Sequence, residues 1–391
     1  MSSRGPWLTR GREVISGTDP EMLALVAVGW FVRLRQYASG RSVWPDEATF
    51  ANNFVDHGFG WLLTHQLDGF QSAPAGFIVL VESVSIPFGS SDQSLRLVPL
   101  IAGLALVVAC AALARTVLNT RAARAALVGL AALAPVLVYY ASEVKQYGSD
   151  AAVTVGLLLL LAVRRQRSIW LPTLVVAGAL SVWVSLPAAF TVAACGLVLG
   201  IEWLRERRFF ELVTVGTVWA VSTALSAYWS LTVSTSREVF HAYWEGGFAP
   251  LNVSELGWYG SRAVRLGTFG LTDEGVPLRF VDLSLGWVEV VRIGVAVLAL
   301  GGLAFGCTKR GVLRDVSAVS VLSLGFALVA SMVDGYPFDS RLVVFAIPFT
   351  LVGLAVAVEA VVDLSPPQWA RVVGPVAVVA LLAVPAVPTV R

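Results

Sequence analysis

Long apolar runs recur along the whole chain, at 21–38, 95–118, 122–140, 148–163, 169–185, 187–203, 212–233, 287–306, 315–333, 342–362 and 371–388. Most have the roughly 17–25 residues a helix needs to cross a bilayer; 148–163 is short unless Tyr147 and Arg164 mark its interfaces. Eleven such runs cannot share one soluble core. The balance of residues agrees: 57% are hydrophobic and 14% charged, where a soluble domain carries about 25% charged. The expected fold is therefore an all-α polytopic membrane protein of about eleven transmembrane helices. Residues 1–391 are expected to form one transmembrane domain, with no separate C-terminal soluble domain expected. The bilayer is its first partner. Nucleic acid is not expected, because the basic residues are dispersed in small clusters between apolar runs.

Lys145 and Lys309 are the two lysines among 28 basic residues, and the rest are arginine. With the Ala/Val richness this suggests GC-rich bacterial coding, hence a bacterial plasma membrane. The N-terminus is polar and basic with no early apolar core, so the first span is expected to serve as its own insertion signal. Cys110, Cys195 and Cys307 show neither CxxC nor Cys/His zinc spacing.

Sidedness turns on "APAGFIVLVESVSIPF", 73–88, which could be a short span or a helix lying in the interface. Basic clusters stand at Arg4/Arg10/Arg12, Arg115/Arg121/Arg124, Arg164/Arg165/Arg167, Arg205/Arg207/Arg208 and Lys309/Arg310/Arg314, with Arg371 near the last span. If 73–88 stays in the interface, all of them fall on one side, which the positive-inside rule makes cytoplasmic. If it crosses, the first cluster is stranded opposite the others. The interfacial reading is preferred. It puts the N-terminus inside, and 39–94, the 140–148 turn, the long loop 234–286 and "DGYPFDSR" (334–341) outside.

That outer face carries nearly all the unusual polar residues. In "RSVWPDEATFANNF" (41–54), Asp46 and Glu47 follow Trp44-Pro45. They suit the first turn of a helix, where the dipole favours acids; equally, Asp46 could take a proton from an attacking hydroxyl. "YYASEVKQYGSD" (139–150) packs Tyr140, Glu143, Lys145 and Tyr147 into one polar turn. Aromatic belts and snorkelling explain Tyr and Lys at an interface, and a Glu143–Lys145 phosphate or metal subsite explains them as well. Arg341, and Arg33 with Arg35, flank external loops, against the usual sidedness; a guanidinium there can meet a lipid phosphate. In 234–286, Trp244 and other aromatics are either interface anchors or stacking surfaces for sugars. His57, His65 and His241 permit a metal but lack ligand spacing such as HExxH.

The order of these features resembles the GT-C superfamily of membrane glycosyltransferases. They are an Asp-Glu after the first span, an interfacial segment with an early proline, "FGSSDQSLRLVPLIAG" (88–103), "YYASEVKQYGSD", and a late Arg341-to-Pro348 "RLVVFAIP". The nearest set is similar to protein-mannosyltransferases and aminoarabinose transferases (glycosyltransferase family 39, RgtA/B/C/D-like). The resemblance covers roughly 20–165 well and 287–362 loosely. It implies inverting transfer of a sugar from a polyprenyl-phosphate donor to an external glycan, lipid or protein. Asp46 would be the base and Glu47 its assistant. Lys145, Arg341 and Arg33 would meet the donor phosphate, and Tyr140, Trp244 and Tyr147 the sugar or acceptor. A divalent metal ion is allowed, with Glu143 and His241 as candidate ligands. One departure stands out: aminoarabinose-type members carry Glu-Lys just before the interfacial proline, where this chain has Ser72-Ala73-Pro74.

The alternative is a transporter or flippase of a lipid-linked sugar without covalent chemistry. Transporters place ionisable residues and broken helices at mid-membrane, often in paired halves. Here the acids gather at the outer span ends, and no paired halves are visible.

Overall fold

The computed structural model describes residues 19–164, 170–234, 237–270 and 286–383. Arg4, Arg10, Arg12, Arg165 and Arg167, and the last residues of the expected 371–388 span, lie outside them. Among the described residues there are helices and turns and no strand. The longer helices are α1 (Pro20–Ala38), α2 (Pro45–Asp56), α3 (Ala75–Phe88), α4 (Leu97–Val117), α5 (Arg121–Leu133), α6 (Tyr147–Val163) and α7 (Trp170–Val184). They continue as α8 (Ala188–Arg205), α9 (Phe209–Trp229), α10 (Leu256–Phe269), α11 (Gly286–Thr308), α12 (Val312–Met332), α13 (Ile347–Leu364) and α14 (Pro367–Ala383).

A helix occupies each of the eleven expected places. Among the described residues, however, six spans qualify by length and apolarity alone, or seven if one bent pair counts as one. The others fall short for visible reasons. Helices α6, α7 and α14 are shorter, and α1 carries Glu21, Arg33 and Arg35.

The bent pair is α5 with Pro135–Ser142, which meet at 49°. Pro135 has no N–H to offer the carbonyl of Ala131, four residues back, so the helix must break there. Arg33 fills the gap. It is completely buried, and its guanidinium donates to the Ala131, Ala132 and Gly29 carbonyls at 2.8, 2.9 and 3.1 Å. A cation at a helix C-terminus also complements the dipole.

The ends of the bundle are distinct. At one, Asp19 pairs with Arg124 (3.2 Å), Glu359 accepts the Asn119 N–H (2.7 Å), and Arg164 bridges Glu202 (2.7 Å) and Asp315. At the other, the chain between α1 and α4 packs back on itself. Gln71 donates to Asp46 at one end of α2, and Ser90 donates to the Phe54 carbonyl near its other end (3.0 Å). The intervening helix α3 therefore runs alongside α2, with Phe77 stacked on Phe50.

Helix α13 is the centre of the bundle and is almost wholly buried. It lies against α11 through small residues. A Cβ on Gly353 would collide with the Ala299 carbonyl, and one on Gly302 with that of Gly353. Such close backbone approach is how apolar helices associate where the surroundings are equally apolar. Gly353→Leu should therefore lower the thermal unfolding midpoint in detergent markedly, since overpacking costs about 1–3 kcal/mol or more. Gly301→Leu, facing open space, should leave it nearly unchanged. Equal midpoints for the two variants would contradict this packing.

Candidate active site

Pro45 opens α2, where a missing N–H costs nothing, and Asp46 and Glu47 occupy its first turn. Consecutive helical residues diverge, and these two carboxylates do different work.

Glu47 turns inward and is fully buried. It takes both arms of Arg96, Nε at 2.7 Å and Nη2 at 2.8 Å, and accepts the Val144 N–H at 3.0 Å. Arg41 adds a longer contact at 3.4 Å. One carboxylate thus ties together α2, the start of α4 and the 143–146 turn.

Asp46 faces the other way. Its Oδ2 meets Arg341 Nη1 at 2.9 Å and Lys145 Nζ at 3.1 Å, while Oδ1 accepts from Gln71 Nε2 at 3.1 Å. Lys145 also donates to the Gln71 side-chain amide oxygen, Oε1. Three segments some hundred residues or more apart thereby converge on one half-buried carboxyl. Burial raises the pKa of Asp46, but the Lys145 and Arg341 charges outweigh that and hold it below the usual aspartate range. Burial pulls the Lys145 ammonium downward, against the support of Asp46. Lys145 lies over the Phe50 ring at 4.9 Å, and Arg341 lies within 6.0 Å of the Tyr147, Tyr243 and Trp244 rings.

Beside Arg341 opens a cavity of about 500 Å³, with Trp44, Tyr140 and Trp244 in its wall. Glu143 sits behind Trp44, whose indole N–H donates to it at 3.4 Å, and faces Arg41 at 3.6 Å. Burial, with the nearby Glu47 charge, pushes its pKa up to about 7 despite Arg41.

Of the residues singled out in the sequence, the structure brings Asp46, Lys145 and Arg341 into contact and sets Tyr140, Tyr147 and Trp244 around them. Glu47 is beneath, occupied by Arg96. Arg33 is not at the cluster: the break at Pro135 claims its guanidinium, which corrects its placement beside the donor phosphate. His241 stacks on Phe248, with ring centroids 4.8 Å apart. Among the described residues no three His, Cys, Asp or Glu side chains come together. Glu143 and His241 have different surroundings, and Asp46 is ringed by cations. This donor set does not fit a divalent ion.

Gln71, Arg96, Arg41, Arg262 and Asp339 were not anticipated. Arg96 carried a usable signal, a charge inside the window read as a span from residue 95. Gln71 stands just before the Ser72-Ala73-Pro74 departure; nothing in its type marks it.

Two solved structures share this architecture. ArnT from Cupriavidus metallidurans bound to undecaprenyl phosphate is 18% identical with a TM-score of 0.51, over 95% of this chain and 65% of that one. The apo Archaeoglobus fulgidus oligosaccharyltransferase is 11% identical with a TM-score of 0.51, over 93% of this chain and 56% of that one. The chain spans less than two thirds of the length of either. No protein-family model matches the sequence, and the search of curated proteins found no relative. The chain has the GT-C fold.

The raised pKa of Glu143 has a consequence for stability. An unfolded glutamate ionises near pH ~4.3, so between there and about 7 the folded state holds the extra proton. Stability contributed at Glu143 therefore falls as pH rises through that window and is level above it, a change on the order of 3 kcal/mol. Thermal midpoints of Glu143→Gln should lack this decline, and parallel pH curves for the two proteins would contradict it. Asp46 acts oppositely: its contribution is complete above the ordinary aspartate range and is lost as pH falls through its lowered value.

Proposed function

From the GT-C fold and the cluster at Asp46, we propose that this chain is an inverting glycosyltransferase that moves a sugar from a polyprenyl-phosphate donor to a cell-envelope glycan, lipid or protein. The carrying observation is that Lys145 and Arg341 converge on one carboxylate beside an open cavity. Two cations around a single acid are arranged to exchange that acid for a more highly charged anion. A lipid phosphate is such an anion, and the similar ArnT structure holds undecaprenyl phosphate.

In the reaction, Lys145 and Arg341 hold the donor phosphate. As the acceptor oxygen forms its bond to the anomeric carbon, the bond from that carbon to the phosphate oxygen breaks. The polyprenyl phosphate departs as an anion on the same two cations. Asp46, relieved of them, accepts the acceptor's proton. With those charges turned to the phosphate, burial favours its protonated form, which suits it to take the proton as the attack proceeds. A single displacement inverts the anomeric centre. Glu47 positions Asp46 through Arg96 and Val144. Among the described residues no donor set offers a place for a metal ion, and none of these steps uses one.

The basic clusters Arg115/Arg121/Arg124, Arg205/Arg207/Arg208 and Lys309/Arg310/Arg314 belong to the end opposite Asp46. The positive-inside rule then sets the active site on the external face of a bacterial plasma membrane, with the N-terminus cytoplasmic. A cysteine replacing the exposed Asp68, with native cysteines removed, should react with an impermeant thiol reagent in intact cells. Labelling confined to permeabilised cells would reverse this orientation.

In nanodiscs, Asp46→Asn should lower transfer from polyprenyl-phosphate sugars by about 10²–10⁴ while retaining affinity for bare polyprenyl phosphate. Arg341→Ala should weaken that affinity by roughly 10–100-fold, the worth of a charge-assisted hydrogen bond. Wild-type turnover by Asp46→Asn would remove Asp46 as the base.

A further inference from the structure

We infer that the cavity beside Arg341 is a binding site for a neutral sugar ring, stacked on aromatic faces with its hydroxyls read by the Asp339–Arg262 pair. This deepens the glycosyltransferase reading and rests on it.

The wall is assembled from five segments, one of them the Tyr140 turn before α6. Trp44 comes from the turn before α2, and Tyr243, Trp244, Gly246 and Gly247 from the chain between α9 and α10. Arg262 comes from α10, and Asp339 to Arg341 from the turn after α12. Cross-links fix these pieces before any ligand arrives. Phe338 donates to the Gly247 carbonyl (2.8 Å), and the Gly246 carbonyl accepts from Arg262 Nη2 (2.8 Å) and from the Trp258 indole (3.2 Å). Trp258 in turn lies under the Arg262 guanidinium, 5.1 Å from its ring. Ser340 is held at φ 49°, a left-handed conformation that costs a side-chain-bearing residue about 1–2 kcal/mol. That bend sends the charged residues on either side of Ser340 to different partners, Asp339 to Arg262 (2.5 Å) and Arg341 to Asp46 (2.9 Å). Strain, cross-links and volume together describe a preformed concave site of the size small ligands occupy.

The lining chemistry selects the ligand class. Aromatic faces on an open cavity suit the apolar face of a sugar ring, and Tyr243 is left exposed. The two guanidiniums in the wall are both already ion-paired. Asp339 accepts from Arg262 and, at 3.7 Å, is approached by Arg265. A sugar ammonium would have to share Asp339 with those arginines, and a sugar carboxylate would compete with the donor phosphate for Arg341. Hydroxyls can hydrogen-bond to an existing ion pair without displacing it. A neutral pentose or hexose fits where charged sugars do not.

The ring could belong to the donor or to the acceptor, and the experiment separates them. Wild-type protein in nanodiscs is titrated with bare short-chain polyprenyl phosphate and with the same lipid bearing a neutral pentose, a neutral hexose, an amino sugar or a uronic acid. A parallel arm uses free methyl glycosides of the two neutral sugars, and tryptophan fluorescence reads both. At least one neutral-sugar lipid should bind about tenfold or more tighter than bare lipid, the worth of a stacked ring, with no such gain for the charged sugars; this makes the ring the donor's. Binding of the methyl glycosides without any gain on the lipid makes it the acceptor's. In either case Tyr243→Ala and Asp339→Asn should abolish the sugar-dependent part while bare-lipid affinity stays within about twofold. The inference is overturned if neither arm shows a sugar contribution, if a charged sugar binds tightest, or if both variants retain the full sugar contribution. Failure of bare lipid to bind would count against the proposed donor instead, and the methyl glycoside arm would still judge the cavity.

Discussion

A carboxylate cannot be buried in an apolar bundle without its counter-charge, and Glu47 is such a carboxylate, fully enclosed. Its two-pronged grip on Arg96 and its acceptance of the Val144 N–H lock three segments at one end of the bundle. Removing one partner of a pair like this typically costs about 3–5 kcal/mol, because the other charge is left stranded. That stiffness is inherited by the neighbouring residue. Asp46 follows from the same helical turn, and Lys145 follows one residue after Val144. The Asp-Glu dipeptide thus combines an anchor with a working group, and the anchor decides where the working group stands.

The same economy of charge runs through the rest of the bundle. Arg33, read from sequence as a flanking cation, satisfies carbonyls stripped of partners by Pro135. Arg164 is held between Glu202 and Asp315 at the opposite end. Around Asp46 the balance differs in kind. Two cations face one acid that remains a fifth exposed, next to open space. The networks at Arg33 and Arg164 are buried and held by protein acceptors. The one at Asp46 is complete only while its anion stays in place, which separates a site from a staple.

Much of the architecture was legible because the apolar runs obey one simple requirement, the thickness of a bilayer. Each of the eleven runs has a helix in its place, and 73–88, kept from crossing in the sequence reading by the basic clusters, is a helix of its own. Two things were not legible. Whether α1, α6, α7 and α14 span by themselves depends on length and charge near the limit. The kink after Leu133 needed Pro135 to be weighed as a breaker inside an apolar run. For the site, Asp46, Lys145 and Arg341 stood out as charges where charge is rare. Glu47 was read as assistant to Asp46, since sequence does not show which way a first-turn side chain points. Arg33 misled for the converse reason, its partners being backbone carbonyls brought near by packing. Gln71, Arg262 and Asp339 gain their roles from tertiary contacts between segments far apart in the chain.

If Asp46 keeps the place of a donor phosphate, then bound lipid must take its cations. The direct measurement is a structure of the chain with polyprenyl phosphate in a bilayer mimic. The account predicts the phosphate within hydrogen-bonding distance of both Lys145 and Arg341, with the Asp46 carboxyl released toward the cavity. A headgroup lodged elsewhere, with both cations still closed on Asp46, would contradict it.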